Sequence, residues 1–173
     1  MKLAEAAVST NIDEEIAEAF ELIRGGAPMA VATADAERRP SCLRGLGADP
    51  GPGRTLTVYV NATLAGRMRA DLEVNPRIAV TLSRLPDLRS IQLKGVVRVV
   101  RPATAHDHAI RARYLEALAE QLSLAGLPRS LVRRVVAEPC LAIELEAQEL
   151  FEQTPGAGAG RVLGAKSDRK SVV

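Results

Sequence analysis

A chain of 173 residues, 47% of them hydrophobic, is the size of one globular domain with a single core. Its 23 basic and 21 acidic side chains leave a formal charge of +2, too balanced for the footprint of a nucleic-acid binder, and nothing approaches the ~20 apolar residues that span a bilayer. The two cysteines, Cys42 and Cys140, have neither metal-knuckle spacing nor disulfide density, and the N-terminus has no apolar run of signal-sequence length, so the expectation is a cytoplasmic protein with reduced thiols, no metal and no membrane partner.

Thr10 or Asn11 can cap a helix in which Ile12, Ile16, Ala19, Phe20 and Ile23 recur at helical spacing, ending at Gly25-Gly26. Residues 29–33 read as a strand, 35–39 as a polar turn and 41–48 as the returning strand of a hairpin. Two prolines and two glycines make 49–53 an exposed loop, because proline lacks the donor a ladder needs. Residues 55–61 form the third strand, and 64–73 a short helix stopped before Pro76. Strand four covers 77–83. Strand five covers 90–100, with Gly95 marking a bulge or a close backbone approach. Along it Ser90, Gln92 and Lys94 alternate onto one face, while Ile91, Leu93 and Val96 look inward.

Thr104 and Asp107 have the spacing of a capping box for a second amphipathic helix that carries Ile110, Tyr114, Leu115, Leu118 and Leu122 to a stop at Gly126. Pro128 opens a third, shorter helix, and 140–146 is the last strand. The domain therefore covers 1–154. The Gly-Ala segment and polar end at 155–173 have the composition of a flexible C-terminal tail. Six strands joined mostly by tight turns, without β-α-β alternation, predict a mainly β (α+β) fold, an antiparallel barrel with flanking helices, and exclude a Rossmann arrangement.

No nucleophile elbow, phosphate-binding glycine loop or metal motif is present, and no catalytic residue is identified. His106 and His108 stand two apart on a helix and share no face, and both cysteines suit small buried hydrophobes. What remains is a set of polar and basic residues between Arg39 and Gln92. Ala30-Val31-Ala32-Thr33 with Arg39-Pro40-Ser41, Val58-Tyr59-Val60-Asn61, Arg67-Met68-Arg69 through Asn75-Pro76-Arg77, and Arg89 through Gly95 follow one another over roughly residues 28–100. In that order they resemble the FMN-binding split β-barrels related to pyridoxamine 5′-phosphate oxidase. Gln153-Thr154-Pro155-Gly156 is similar to small members of the group.

The resemblance implies a six-stranded antiparallel split β-barrel and a homodimer whose subunits together hold FMN for an oxidoreductase acting on an unidentified small molecule. It puts the flavin phosphate at Arg67, helped by Arg44 or Arg69, and the flavin ring near Tyr59, Val60, Asn61, Ser90 and Gln92. A guanidinium suits the phosphate because its paired donors match two phosphate oxygens. Two features depart from the oxidase. Met68 stands where it has a lysine, and its C-terminal arginine and histidine pattern is missing from 147–173. The alternatives are a non-enzymatic flavin- or haem-binding module and a deazaflavin-dependent reductase of the same fold. For Arg67 and Arg69 the competing reading is a solvated helix face, and for Tyr59 a packing role.

Overall fold

Three helices, one 3-10 turn and eight strands make up the residues that the computed structural model describes, 12–135 and 138–165, with the backbone alone at 133 and 134. In chain order they are α1 (Ile12–Arg24), β1 (Met29–Ala34), β2 (Pro40–Arg44), β3 (Ala48–Pro50), β4 (Thr55–Asn61), α2 (Gly66–Val74), β5 (Arg77–Ser83) and β6 (Ser90–Pro102). After these come α3 (Ala105–Leu124), the 3-10 turn (Arg129–Arg134), β7 (Cys140–Glu152) and β8 (Val162–Ala165). The strands form one antiparallel sheet in the order β2-β1-β5-β6-β7-β4-β3, with β8 beside the far end of β7.

Two devices curl this sheet into a split barrel. The first is the passage from β2 to β3. β2 pairs with β1 and β3 pairs with β4, so one stretch of chain bridges the two ends of the sheet. Between them the Gly45 amide donates to the Met29 carbonyl and the Leu46 amide to the Tyr59 carbonyl. A Cβ on Gly45 would stand 2.0 Å from Met29 Cγ, so glycine is what lets the crossing run this close. The second device is a pair of bulges in the long ladder between β6 and β7, one at Lys94/Gly95, where Gln148 of β7 is the extra residue, and one at Val97/Val99, where Arg98 of β6 is. At the first bulge a Cβ on Gly95 would lie 2.3 Å from the Glu146 carbonyl oxygen, the close approach that glycine implied.

Period-two alternation gives the sheet its two faces. Inward, Val31, Val80, Leu93 and Leu150 lie side by side across β1, β5, β6 and β7, all fully buried. Each such side chain contributes about 1.5–3 kcal/mol. On the outer face the neighbouring row runs Arg44, Ala30, Thr81, Gln92 and Phe151. α1 adds Ile12, Ile16, Phe20 and Ile23 to the main core, while α3 covers a smaller cluster of Leu46, Tyr59, Ile110, Cys140 and Ala142 outside the barrel.

Several expectations are corrected. The strands number eight rather than six. The predicted strand over 41–48 is broken at its glycines into β2 and β3, and β3 takes in Asp49 and Pro50, assigned above to a loop. The third helix is a 3-10 turn. Val96 faces outward opposite Arg77, because Gly95 takes the inward place. β8 arises where no strand was predicted, while residues 166–173 and the caps Thr10 and Asn11 lie outside the described residues. Among the described residues no helix is long and apolar enough to cross a membrane.

Candidate functional site

The largest cavity among those described, about 610 Å³, lies where the ends of β2 and β4 meet the C-terminal half of α3 and the 3-10 turn. Leu46, Leu118, Leu122 and Leu131 make its apolar walls, and Arg44 and Asn61 bring polar groups to it. A shallower trough of about 350 Å³ shares Leu43 and Arg44 with it and runs over Ala30 and Thr81 on the outer face. Arg44 is exposed. Thr81 Oγ1 accepts a hydrogen bond from Gln92 Nε2 at 2.9 Å, so Gln92 belongs to the same surface. Its row-mate Arg44 is three strand spacings away, about 14 Å.

The remaining predicted residues are dispersed. Arg67 stands in the first turn of α2 with its side chain 59% exposed, and its Nη2 approaches Asp35 Oδ2 only to 3.7 Å. That carboxylate is already engaged, accepting the Arg39 amide at 2.9 Å, Arg39 Nε at 2.7 Å and the Glu37 amide at 3.0 Å. The Arg39 amide is the main reason the Asp35 carboxyl sits below its ordinary range; burial opposes this and the Arg39 guanidinium adds to it. Arg69 lines a separate cavity of about 290 Å³ with Arg98 and Val97. Ser90 is buried, its hydroxyl tied to Ser83 Oγ and the Leu88 carbonyl, both at 2.9 Å. Lys94 sits 4.1 Å over the Phe151 ring, a cation–π contact. Asn61 Oδ1 accepts the Leu64 amide at 3.1 Å, which shapes the loop leading into α2.

Tyr59 and Val60 present no side chain to either cavity. Val60 is fully buried in the barrel interior, and Tyr59 lies under α3, donating its hydroxyl to Asp107 Oδ1 at 2.9 Å. Burial first, and then this bond, push the phenol far above its ordinary pKa. Asp107 also accepts Arg101 Nη1 at 2.6 Å and the Thr104 amide at 2.7 Å. Burial alone would raise its carboxyl, but the Arg101, Thr104 and Tyr59 donors together outweigh burial and hold it well below the carboxylate range. Burial likewise raises the Cys140 thiol. Cys42 is exposed on the outer face. His106 lies 3.9 Å from Asp49 and His108 3.3 Å from Glu138, and neither lines the large cavity.

Met68 is 1% exposed and faces the core, so a lysine there would be aimed away from solvent. α2 nevertheless begins in a way that suits an anion. Its N-cap, Ala65, makes no side-chain bond, its first turn has no acidic residue, and Arg67 stands in that turn. Unfilled amide donors and the positive end of the helix dipole together favour a phosphate. The cavity leucines of α3 and the 3-10 turn were missed in the sequence, although Leu124 and Leu127, 73% and 44% exposed, are a surplus of apolar side chains at that end.

No family model matches the sequence, and no curated protein matches it. Solved structures do match. HupZ of Group A Streptococcus superimposes with a TM-score of 0.51 at 19% identity over 83% of this chain and 98% of that one. An FMN-binding protein from Syntrophomonas wolfei has a TM-score of 0.51 at 12% identity over 81% and 87%. A putative pyridoxamine 5′-phosphate oxidase from Lactobacillus delbrueckii has a TM-score of 0.47 at 11% identity over 87% and 99%. At these identities the superpositions on HupZ and on the Syntrophomonas protein show a shared fold, and the curled antiparallel sheet described above is the split β-barrel the sequence resemblance implied.

Proposed function

With the split barrel as premise, we propose that this chain is an FMN-binding oxidoreductase acting on a small molecule as a homodimer. The observation that carries the reading is the start of α2. An uncapped helix N-terminus free of acidic residues holds Arg67, whose nearest carboxylate is already committed to Arg39. The phosphate monoester of FMN supplies the missing negative charge there. The flavin ring lies on the outer face that carries Thr81 and Gln92, and the partner subunit covers it. The isoalloxazine, when bound, is the group that accepts and returns electrons. The protein's own part is to fix the phosphate, offer the Gln92 amide to the ring edge and exclude water with the second copy.

Arg67→Ala is expected to weaken FMN binding about ten- to a hundredfold, since a charged hydrogen bond contributes about 1.5–3 kcal/mol. Arg69→Ala, which alters a different cavity, is expected to change it little. Quenching of flavin fluorescence on titrating the apo-protein reads both. No quenching with the wild type, or equal affinity in Arg67→Ala, would refute the assignment. The visible spectrum of protein loaded with haem or a deazaflavin distinguishes the remaining ligands.

A further inference from the structure

We propose that the cavity of about 610 Å³ beneath α3 and the 3-10 turn is a second ligand site, which takes an aliphatic carboxylate. The hydrocarbon lies among the leucines and the carboxylate rests on Arg44. This goes beyond the flavin reading, which uses the outer face and the start of α2.

The volume is within the range of small-molecule sites, which are mostly apolar with a few placed polar groups. Its walls are aliphatic. Leu118, Leu122, Leu131 and Val132 contribute, while no aromatic ring and no acidic side chain lines it among the described residues. A planar heteroaromatic ligand would need hydrogen bonds along its edges, and these walls do not supply them. A flexible methylene chain needs none, and it gains from burial in proportion to the apolar surface it removes from water.

The polar end is equally specific. Among the described residues Arg44 is the one charged side chain in the lining and has no ion pair, and it is exposed. The two polar ends of Asn61 are turned to the backbone of its own wall, toward the Leu64 amide and the Glu138 carbonyl, which leaves the guanidinium to bind an anion. Leu64 and Leu127, 66% and 44% exposed, carry the apolar lining out to the surface. A cation beside such an apolar cleft matches an amphiphile with one negative head.

Titration calorimetry on the full chain with dodecanoate, and with dodecanol as the neutral counterpart, tests the assignment. Dodecanoate is expected to bind the wild type. Leu122→Trp should weaken it at least tenfold by filling the cavity, and Leu127→Trp, at the exposed mouth, gives the same reading without burdening the core. Arg44→Ala should weaken dodecanoate about tenfold while leaving dodecanol unchanged, and Arg67→Ala should affect neither. No heat with the wild type, undiminished binding in Leu127→Trp, or an equal effect of Arg44→Ala on acid and alcohol would overturn the proposal. So would loss of FMN together with dodecanoate in Leu127→Trp, because the cavity would then be the flavin's own pocket. Dodecanoate binding to a wild type that takes no FMN would support this site while removing the flavin reading alone.

Discussion

Asp107 is 3% exposed and charged, and it is tolerated because every direction around it ends in a donor. Its carboxyl titrates below an unfolded value near 3.9. Its contribution is therefore complete above about pH 4 and is lost as the pH falls through the folded value. Breaking a buried ion pair costs about 3–5 kcal/mol; with Arg101 a third exposed, Asp107→Asn should cost nearer 2–3 kcal/mol at pH 7. Urea unfolding at pH 7 and pH 3 should show the gap between wild type and variant shrinking on acidification; a gap independent of pH would contradict this account. Half of this arrangement was legible. Thr104 and Asp107 are three apart, and the capping box they imply is present. The Tyr59 bond spans 48 residues, and no local pattern connects the two. Tyr59 therefore read as a packing residue before a ring contact, while its burial under α3 is a tertiary outcome.

Elements with an unbroken period were legible, and those with a defect were not. β4 and β5 keep their alternation and stand where predicted, at Thr55–Asn61 and Arg77–Ser83. β7 loses it after Ala147, where Gln148 is the extra residue of the first bulge and both it and Glu149 are half-buried, so only its first half could be read. β8 has four residues with a glycine among them. That short strand is anchored nonetheless. Leu163 is buried, and a Cβ on Gly164 would stand 2.8 Å from Ile12 Cα, so β8 closes over the start of α1. Arg89 reinforces the same corner by joining Glu18 of α1 to Glu152 and Thr154 at the end of β7. A chain ending at residue 161 should melt earlier than one ending at 165, by about 2–3 kcal/mol of stability, the order of one buried leucine. Equal melting temperatures would show β8 to be dispensable.

At the scale of the whole molecule the outer face of β1, β5 and β6 mixes small residues with polar ones. Ala30, Ala32 and Ala79 interrupt the polar Thr81, Gln92 and Lys94; Ala30 is exposed and the other five are partly buried. Under the proposed reading a second copy pairs through this face. Light scattering at micromolar concentration is expected to give twice 18.4 kDa, and a stable species at 18.4 kDa would count against the pairing. The site was less legible than the fold because its residues come from separate stretches. Arg44 and Asn61 meet only because the β2–β3 crossing brings Leu46 against Tyr59, whereas Arg67 and Arg69, two apart in sequence, diverge around the short helix α2 into different surroundings.

The anchoring of α3 has a consequence for access to the interior. Asp107 fixes its first turn, the Tyr114 hydroxyl bonds the Ala27 carbonyl at 2.8 Å, and Gln121 holds the Gly25 carbonyl at 3.0 Å and the Leu85 amide at 3.2 Å. The helix is fastened along its length and serves as a rigid lintel. With Leu118 and Leu122 carried on that lintel, the wall they give the leucine-lined space is preformed, so access to it needs no movement of α3.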